Sequence, residues 1–127
     1  MGRRGYVITQ PAKYGDSCVS GWAQTSFYNF LMDKTKLDVN TDNEWAPQDA
    51  DHWSITIPDK VVKCGKGKRI VADYDNVLKV AKRLKARPGL VKDSDGEPYG
   101  DQCAWLLEEG VKAARKHKLF HIAIDWA

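Results

Sequence analysis

Two segments of the chain alternate apolar and polar residues, and this alternation constrains the fold more than any other feature. Residues 52–57 read His-Trp-Ser-Ile-Thr-Ile, and residues 120–126 read Phe-His-Ile-Ala-Ile-Asp-Trp. Because successive side chains of a strand point to opposite sides, each segment predicts a strand with one apolar and one polar face. The apolar faces need a covering layer, and the remaining patterns indicate that helices supply it.

Three other segments carry apolar residues at the helical spacings of three and four. These segments are residues 19–31, 77–84 and 104–114. A residue that can cap a helix N-terminus precedes each of them: Asp16 or Ser17, then Asp73 or Asp75, then Asp101. The pattern therefore predicts three helices.

Short β-branched stretches supply the other strands. Residues 5–9 predict an edge strand. Residues 61–63 continue the extended chain of 52–57, and residues 69–74 predict the next strand, paired with it in a hairpin around the glycine-rich turn at 64–68. Residues 34–51 are polar and predict a long loop. The predicted fold is a single α+β domain over residues 1–127, in the order β-α-β-β-α-α-β, with a small, mostly antiparallel sheet and about three helices packed on it.

Composition restricts the class of protein. The chain has 127 residues, of which 43% are hydrophobic and 29% charged, as in ordinary globular domains. No run approaches the roughly 18 apolar residues of a membrane span, and no apolar stretch follows the basic residues at the start. We therefore expect a cytoplasmic protein that does not insert into a membrane.

Charge is unevenly distributed along the chain. Residues 59–92 contain eleven Lys and Arg against three Asp, whereas residues 38–51 contain five acidic residues and no basic one. Within the basic half, three basic residues flank the glycine-rich turn, and more lie along the second predicted helix. These are Lys66, Lys68 and Arg69 at the turn, and Lys79, Lys82 and Arg83 on the helix. The pattern predicts a surface, residues 66–87, that binds nucleic acid or an acidic protein partner.

The three cysteines suggest a second, different function. Their number is odd, their spacing is wide and no CxxC occurs, so we predict no disulfide framework, no metal site and no cofactor. Cys18 is predicted at the start of the first helix, where free amides and the helix dipole favour a thiolate. His52 opens a predicted strand and can act as its base, with Asp73 or Asp75 orienting the imidazole.

Part of this arrangement resembles a known superfamily. Residues 18–23, Cys-Val-Ser-Gly-Trp-Ala, resemble the Cys-Gly-Ser-Cys-Trp-Ala segment of papain-type proteases, although Gly21 stands in the register of their nucleophile. Residues 51–57 are similar to the histidine-bearing strand of the transglutaminase and NlpC/P60 group. The resemblance implies a small thiol hydrolase acting on an amide or thioester, with Cys18 as nucleophile, His52 as base and Asp73 as orienting residue.

An alternative nucleophile is Cys103, on the first turn of the third predicted helix. An arrangement with histidine first and cysteine later in the chain resembles the circularly permuted relatives of the same group.

Two further expectations concern polar and aromatic residues. His121 and Asp125 share the polar face of the last strand, which we expect to be a solvated edge. Four tryptophans are expected in the core: Trp22, Trp53, Trp105 and Trp126.

Overall fold

The computed structural model describes residues 3–10 and 13–127, which form strands, three α-helices and short 3-10 turns. The strands are β1 (Arg4–Gln10), β2 (Lys13–Ser20), β3 (Asp38–Thr41), β4 (His52–Thr56), β5 (Asp59–Cys64), β6 (Gly67–Ala72) and β7 (His121–Trp126). The helices are α1 (Gln24–Lys34), α2 (Tyr74–Ala86) and α3 (Gly100–Lys116). Five strands form one antiparallel sheet in the order β2-β1-β7-β4-β3, and β5 and β6 form a separate hairpin.

The core lies between one face of the sheet and the helices. Val7, Ile124 and Trp53 stand opposite one another on β1, β7 and β4, and all three are buried. Trp53 meets the Trp126 ring at 4.8 Å and the Phe27 ring of α1 at 5.8 Å between centroids. This face is the apolar side predicted from alternation.

The predicted α+β class, with three helices on a mostly antiparallel sheet, is confirmed. The predicted elements occur in the predicted order; β2 and β3 are additional strands, and the extended stretch predicted over residues 52–63 is divided into β4 and β5. Because these two strands occupy the edges, β1 is not the expected edge strand, and β7 lies at the centre of the sheet with β1 and β4 on either side. Residues 34–51 accordingly contain β3 and a 3-10 turn rather than loop alone.

The predicted start of the first helix is wrong. Residues 13–20 are strand β2, a 3-10 turn follows at Gly21–Ala23, and α1 begins at Gln24. Neither Asp16 nor Ser17 caps a helix; their backbone amides instead donate to the Glu109 carboxylate at 2.9 and 3.1 Å. Tertiary contacts with β1 and α3 thus override the helical spacing of this segment.

Helix α3 fastens the outer edge of β2 to the rest of the domain. Besides the two bonds to Glu109, the Ser20 amide donates to Gln102 Oε1 at 3.1 Å. The close approach of α3 to the sheet requires Gly110, since a Cβ there would lie 2.6 Å from Ile122 Cγ2. Strand β2 therefore presents few open backbone donors to another chain.

An ion pair joins α2 to α3, and a side chain caps α2. Glu108 of α3 binds Lys85 of α2 at 2.7 Å. Asp73 caps α2, as predicted, by accepting the Asn76 amide at 3.3 Å.

Across the described residues, no helix is long and apolar enough to cross a lipid bilayer.

The position of Ile124 between Val7 and Trp53 makes it a sensitive probe of the core. We expect Ile124→Ala to lower the free energy of unfolding by about 2–5 kcal/mol, because it removes a fully buried side chain and leaves a cavity. Ile70→Ala, the matched change on the exposed hairpin, should cost about 1 kcal/mol or less. Urea unfolding of both variants checks the difference, and equal losses would contradict this assignment of the core.

Candidate functional site

The face of the sheet opposite the helices carries the polar residues of the alternating strands. One row crosses it from β2 to β4, because Cys18 is the partner of Tyr6, Tyr6 of Asp125, and Asp125 of His52. Residues opposite one another in an antiparallel pair point to the same side. The row therefore places the predicted nucleophile and base on one face, with two residues between them.

His52 and Asp125 form the closest polar contact on this face. The His52 Nδ1 lies 2.7 Å from Asp125 Oδ1, and the Tyr14 hydroxyl donates to Asp125 Oδ2 at 3.3 Å. The Tyr14 ring stacks on Tyr6 with 5.0 Å between centroids. Asp125 is thus held by two partners, while the His52 side chain remains 66% exposed. The His52 ring therefore contacts Asp125 through Nδ1 while most of its surface remains accessible to solvent.

Asp125 raises the pKa of both neighbours, and for His52 it is the main cause. The hydrogen bond and the negative charge of Asp125 raise the pKa of His52 above its ordinary value. The pKa of Tyr14 is raised by partial desolvation first, and then by the charge of Asp125. The carboxylate therefore favours an imidazolium at position 52 and a neutral phenol at position 14.

Cys18 does not contact His52. Three strand spacings of about 4.8 Å separate their backbone positions, so roughly 14 Å lies between them, far beyond hydrogen-bond reach. Cys18 also lies within a strand and lacks the helix N-terminus that was expected to stabilise its thiolate. The nucleophile–base contact required by the hydrolase hypothesis is not formed here.

The other predicted members of that site are also separated. Asp73 uses its carboxylate to cap α2, and the residue that orients His52 is Asp125. Cys103 is fully buried in α3, and burial raises the pKa of its thiol well above the ordinary value. Cys64, which was not predicted as a site, is exposed at the tip of the β5–β6 hairpin.

The predicted basic residues lie on two neighbouring elements. Every side chain from Lys63 to Ile70 is exposed, including Lys66, Lys68 and Arg69. The two-residue turn between Cys64 and Gly67 uses Gly65 at φ +60°, as a tight hairpin requires. The hairpin joins the domain at its base, where the Asp73 amide donates to the Pro58 carbonyl at 2.8 Å.

Helix α2 begins directly after the hairpin and carries further basic residues. Lys79 and Lys82 are exposed and make no ion pair with the described residues. Arg83, in contrast, lies 5.4 Å above the Phe30 ring and donates to the Lys34 carbonyl at 3.1 Å. Arg83 therefore serves packing between α1 and α2 as much as surface charge.

Metal binding has no support in the described part of the chain, where no group of three or more His, Cys, Asp or Glu side chains could hold an ion. The acidic segment 42–51 is an open surface around the almost fully exposed Trp45.

Sequence reasoning missed the roles of Asp125 and Tyr14. Alternation correctly placed Asp125 on a polar face but assigned it to a solvated edge with His121. The partner of Asp125 depends on the pairing of β7 with β4, which are about seventy residues apart along the chain.

No family model, curated protein or solved structure matches the chain.

The His52–Asp125 contact predicts a specific pH dependence. The pKa of His52 is raised in the folded protein, so the pair contributes stability that is complete below about pH 6.5 and is lost as pH rises through the raised value. We expect Asp125→Asn to lower the pKa of His52 in an NMR titration. The variant should lose more free energy of unfolding near pH 5 than near pH 9.

Asp42→Asn provides the control, because Asp42 raises the pKa of His52 only through a weaker charge effect. An equal fall of the His52 pKa in the two variants would contradict the assigned contact.

The three thiols should differ in reactivity. With iodoacetamide on the folded protein near pH 7.5, Cys64 should label first and Cys103 should not label before unfolding, because it is buried and its pKa is raised. Mass spectrometry of the labelled peptides measures the order. Fast labelling of Cys18 that depends on His52, tested with His52→Gln, would restore the hydrolase hypothesis.

Proposed function

We propose that the protein binds duplex DNA through the β5–β6 hairpin and the outer face of α2. The observation that carries the proposal is the hairpin itself, a two-stranded ribbon that pairs only with itself and has a basic tip. The major groove of B-form DNA, about 12 Å wide, admits such a ribbon.

The dimensions and charge of the hairpin suit this role. Each strand has six residues and extends about 20 Å. Residues 60–70 contain five basic residues and no acidic one. Lys60 lies near Asp75 at 3.9 Å, but Lys63, Lys66, Lys68 and Arg69 make no ion pair with the described residues. Their charges are therefore available to phosphate oxygens.

The hairpin also presents an apolar pair to solvent. Val61 and Ile70 stand opposite each other and are 62% and 61% exposed. A cross-strand pair of this kind stabilises the ribbon and can contact thymine methyl groups or sugars in a groove. The exposed pair on an otherwise cationic ribbon is a reason to prefer insertion into a groove over purely electrostatic attachment.

The competing functions have less support. An acidic protein surface would satisfy the same charges, but it would not require a ribbon of this width. The thiol hydrolase requires a contact between Cys18 or Cys103 and His52, which the sheet register and the burial of Cys103 oppose.

Charge removal at the tip tests the proposal. In fluorescence anisotropy with a labelled duplex of about 20 base pairs, the variant with Lys66, Lys68 and Arg69 changed to Ala should bind at least about tenfold more weakly at 0.1 M salt. The slope of log K against log salt should fall in magnitude by about 3, since three phosphate contacts are lost.

A matched variant separates local contacts from net charge. Changing Lys36, Lys112 and Lys116 to Ala removes the same charge from exposed positions elsewhere. The proposal expects this control to keep most of its affinity. Equal weakening in both variants, or no binding by the folded protein even at low salt, would falsify the DNA role, and binding only to an acidic protein would replace it.

A further inference from the structure

Two tryptophans expected in the core instead line one open groove. Trp22, in the 3-10 turn before α1, is 72% exposed, and Trp105 of α3 is 53% exposed. They border a groove of about 960 Å³ together with Arg3, Arg4 and Tyr6. The groove lies at the β2 end of the five-stranded sheet, whereas the hairpin forms a separate sheet.

The size of an indole does not by itself exclude it from this core. Trp53 and Trp126 show that this core accepts indoles, since they are 2% and 3% exposed. Leaving two large aromatic rings in water forgoes the stabilisation of burying them. Neither Trp22 nor Trp105 packs on another aromatic ring among the described residues, so the exposed part of each ring is available to a planar ligand.

The backbone around Trp22 is held in place. The Trp22 amide donates to Ser20 Oγ at 3.3 Å, and the Gly21 amide donates to the Arg3 carbonyl at 2.7 Å. Gln102 Oε1 accepts the Ser20 amide at 3.1 Å. No acceptor among the described residues takes the two amide hydrogens of the Gln102 side chain, so both can be donated to a ligand. The ring at position 22 therefore projects from a fixed support rather than a loose loop.

The groove is lined by charged residues of both signs. Arg3 binds Asp51 at 3.0 Å, whereas Arg4 makes no ion pair with the described residues. The Asp16 side-chain carboxylate also lines the groove, as does Ala127, whose backbone pairs with that of Arg4. A ligand that fits combines flat rings with a negative charge near Arg4.

We infer that this groove binds the unpaired bases of a single-stranded nucleic acid, which stack on Trp22 and Trp105 while Arg4 contacts the backbone phosphate. The inference deepens the proposed function by adding a single-stranded site to the duplex-binding hairpin. Base stacking on indoles tolerates any sequence, and the exocyclic groups of a base can accept from or donate to Gln102. A neutral oligosaccharide also stacks on tryptophan, but it supplies no negative charge to pair with the Arg4 guanidinium.

Affinity for an oligothymidylate of about twelve nucleotides tests the inference. Trp22→Ala and Trp105→Ala should each weaken binding at least about fivefold in fluorescence anisotropy. Trp45→Ala removes an indole that is 96% exposed outside the groove, and its affinity should be unchanged. Because Trp22 and Trp105 lie on different elements, a folding defect in one variant, visible by circular dichroism, does not affect the other.

The outcomes separate this site from the hairpin. The hairpin triple variant should lose duplex binding but keep the sensitivity of oligothymidylate binding to Trp22→Ala and Trp105→Ala. Duplex binding that survives while neither tryptophan affects oligothymidylate binding overturns the groove alone. An equal loss of oligothymidylate affinity in Trp45→Ala also overturns the groove site. So does a result in which an oligosaccharide quenches the indole fluorescence and oligothymidylate does not.

Discussion

The antiparallel pairing of β4 with β7 is the contact on which both faces of the sheet depend. One register places Trp53 opposite Ile124 and His52 opposite Asp125. Because side chains alternate along a strand, the core and the polar face are fixed together, and a shift of one residue would exchange them. The buried ring contacts around Trp53 therefore also maintain the hydrogen bond between His52 and Asp125 on the opposite face.

Helix α3 completes the domain by serving two purposes at once. Its apolar side covers β1, β2 and β7, while Glu109 and Gln102 accept backbone amides from the edge of β2. This edge protection explains why an unpromising sequence, Lys-Tyr-Gly-Asp-Ser-Cys-Val-Ser, forms a strand. The same placement exposes Trp105 beside Trp22, so the support of the edge and the proposed groove arise from a single packing arrangement.

The hairpin and the groove differ in what they require of the fold. The hairpin needs only its own turn and cross-strand pairs, so its charges could be recognised from composition and glycine placement. The groove needs two elements distant in sequence, and the helical spacing of Trp22 suggested the opposite, a core position. The helix start predicted at Cys18 was wrong for the same reason, because tertiary pairing with β1 makes this segment a strand.

Local pattern alone determined the α+β class, the alternating faces of β4 and β7, the Asp73 cap of α2 and the basic hairpin, because each depends on residues close together in the chain. Tertiary structure alone decided the strand order, the edge role of β2, the exposure of Trp22 and Trp105, and the partner of His52. These features depend on which distant segments pair, and the free energy of that pairing comes from packing across the whole core rather than from any single segment.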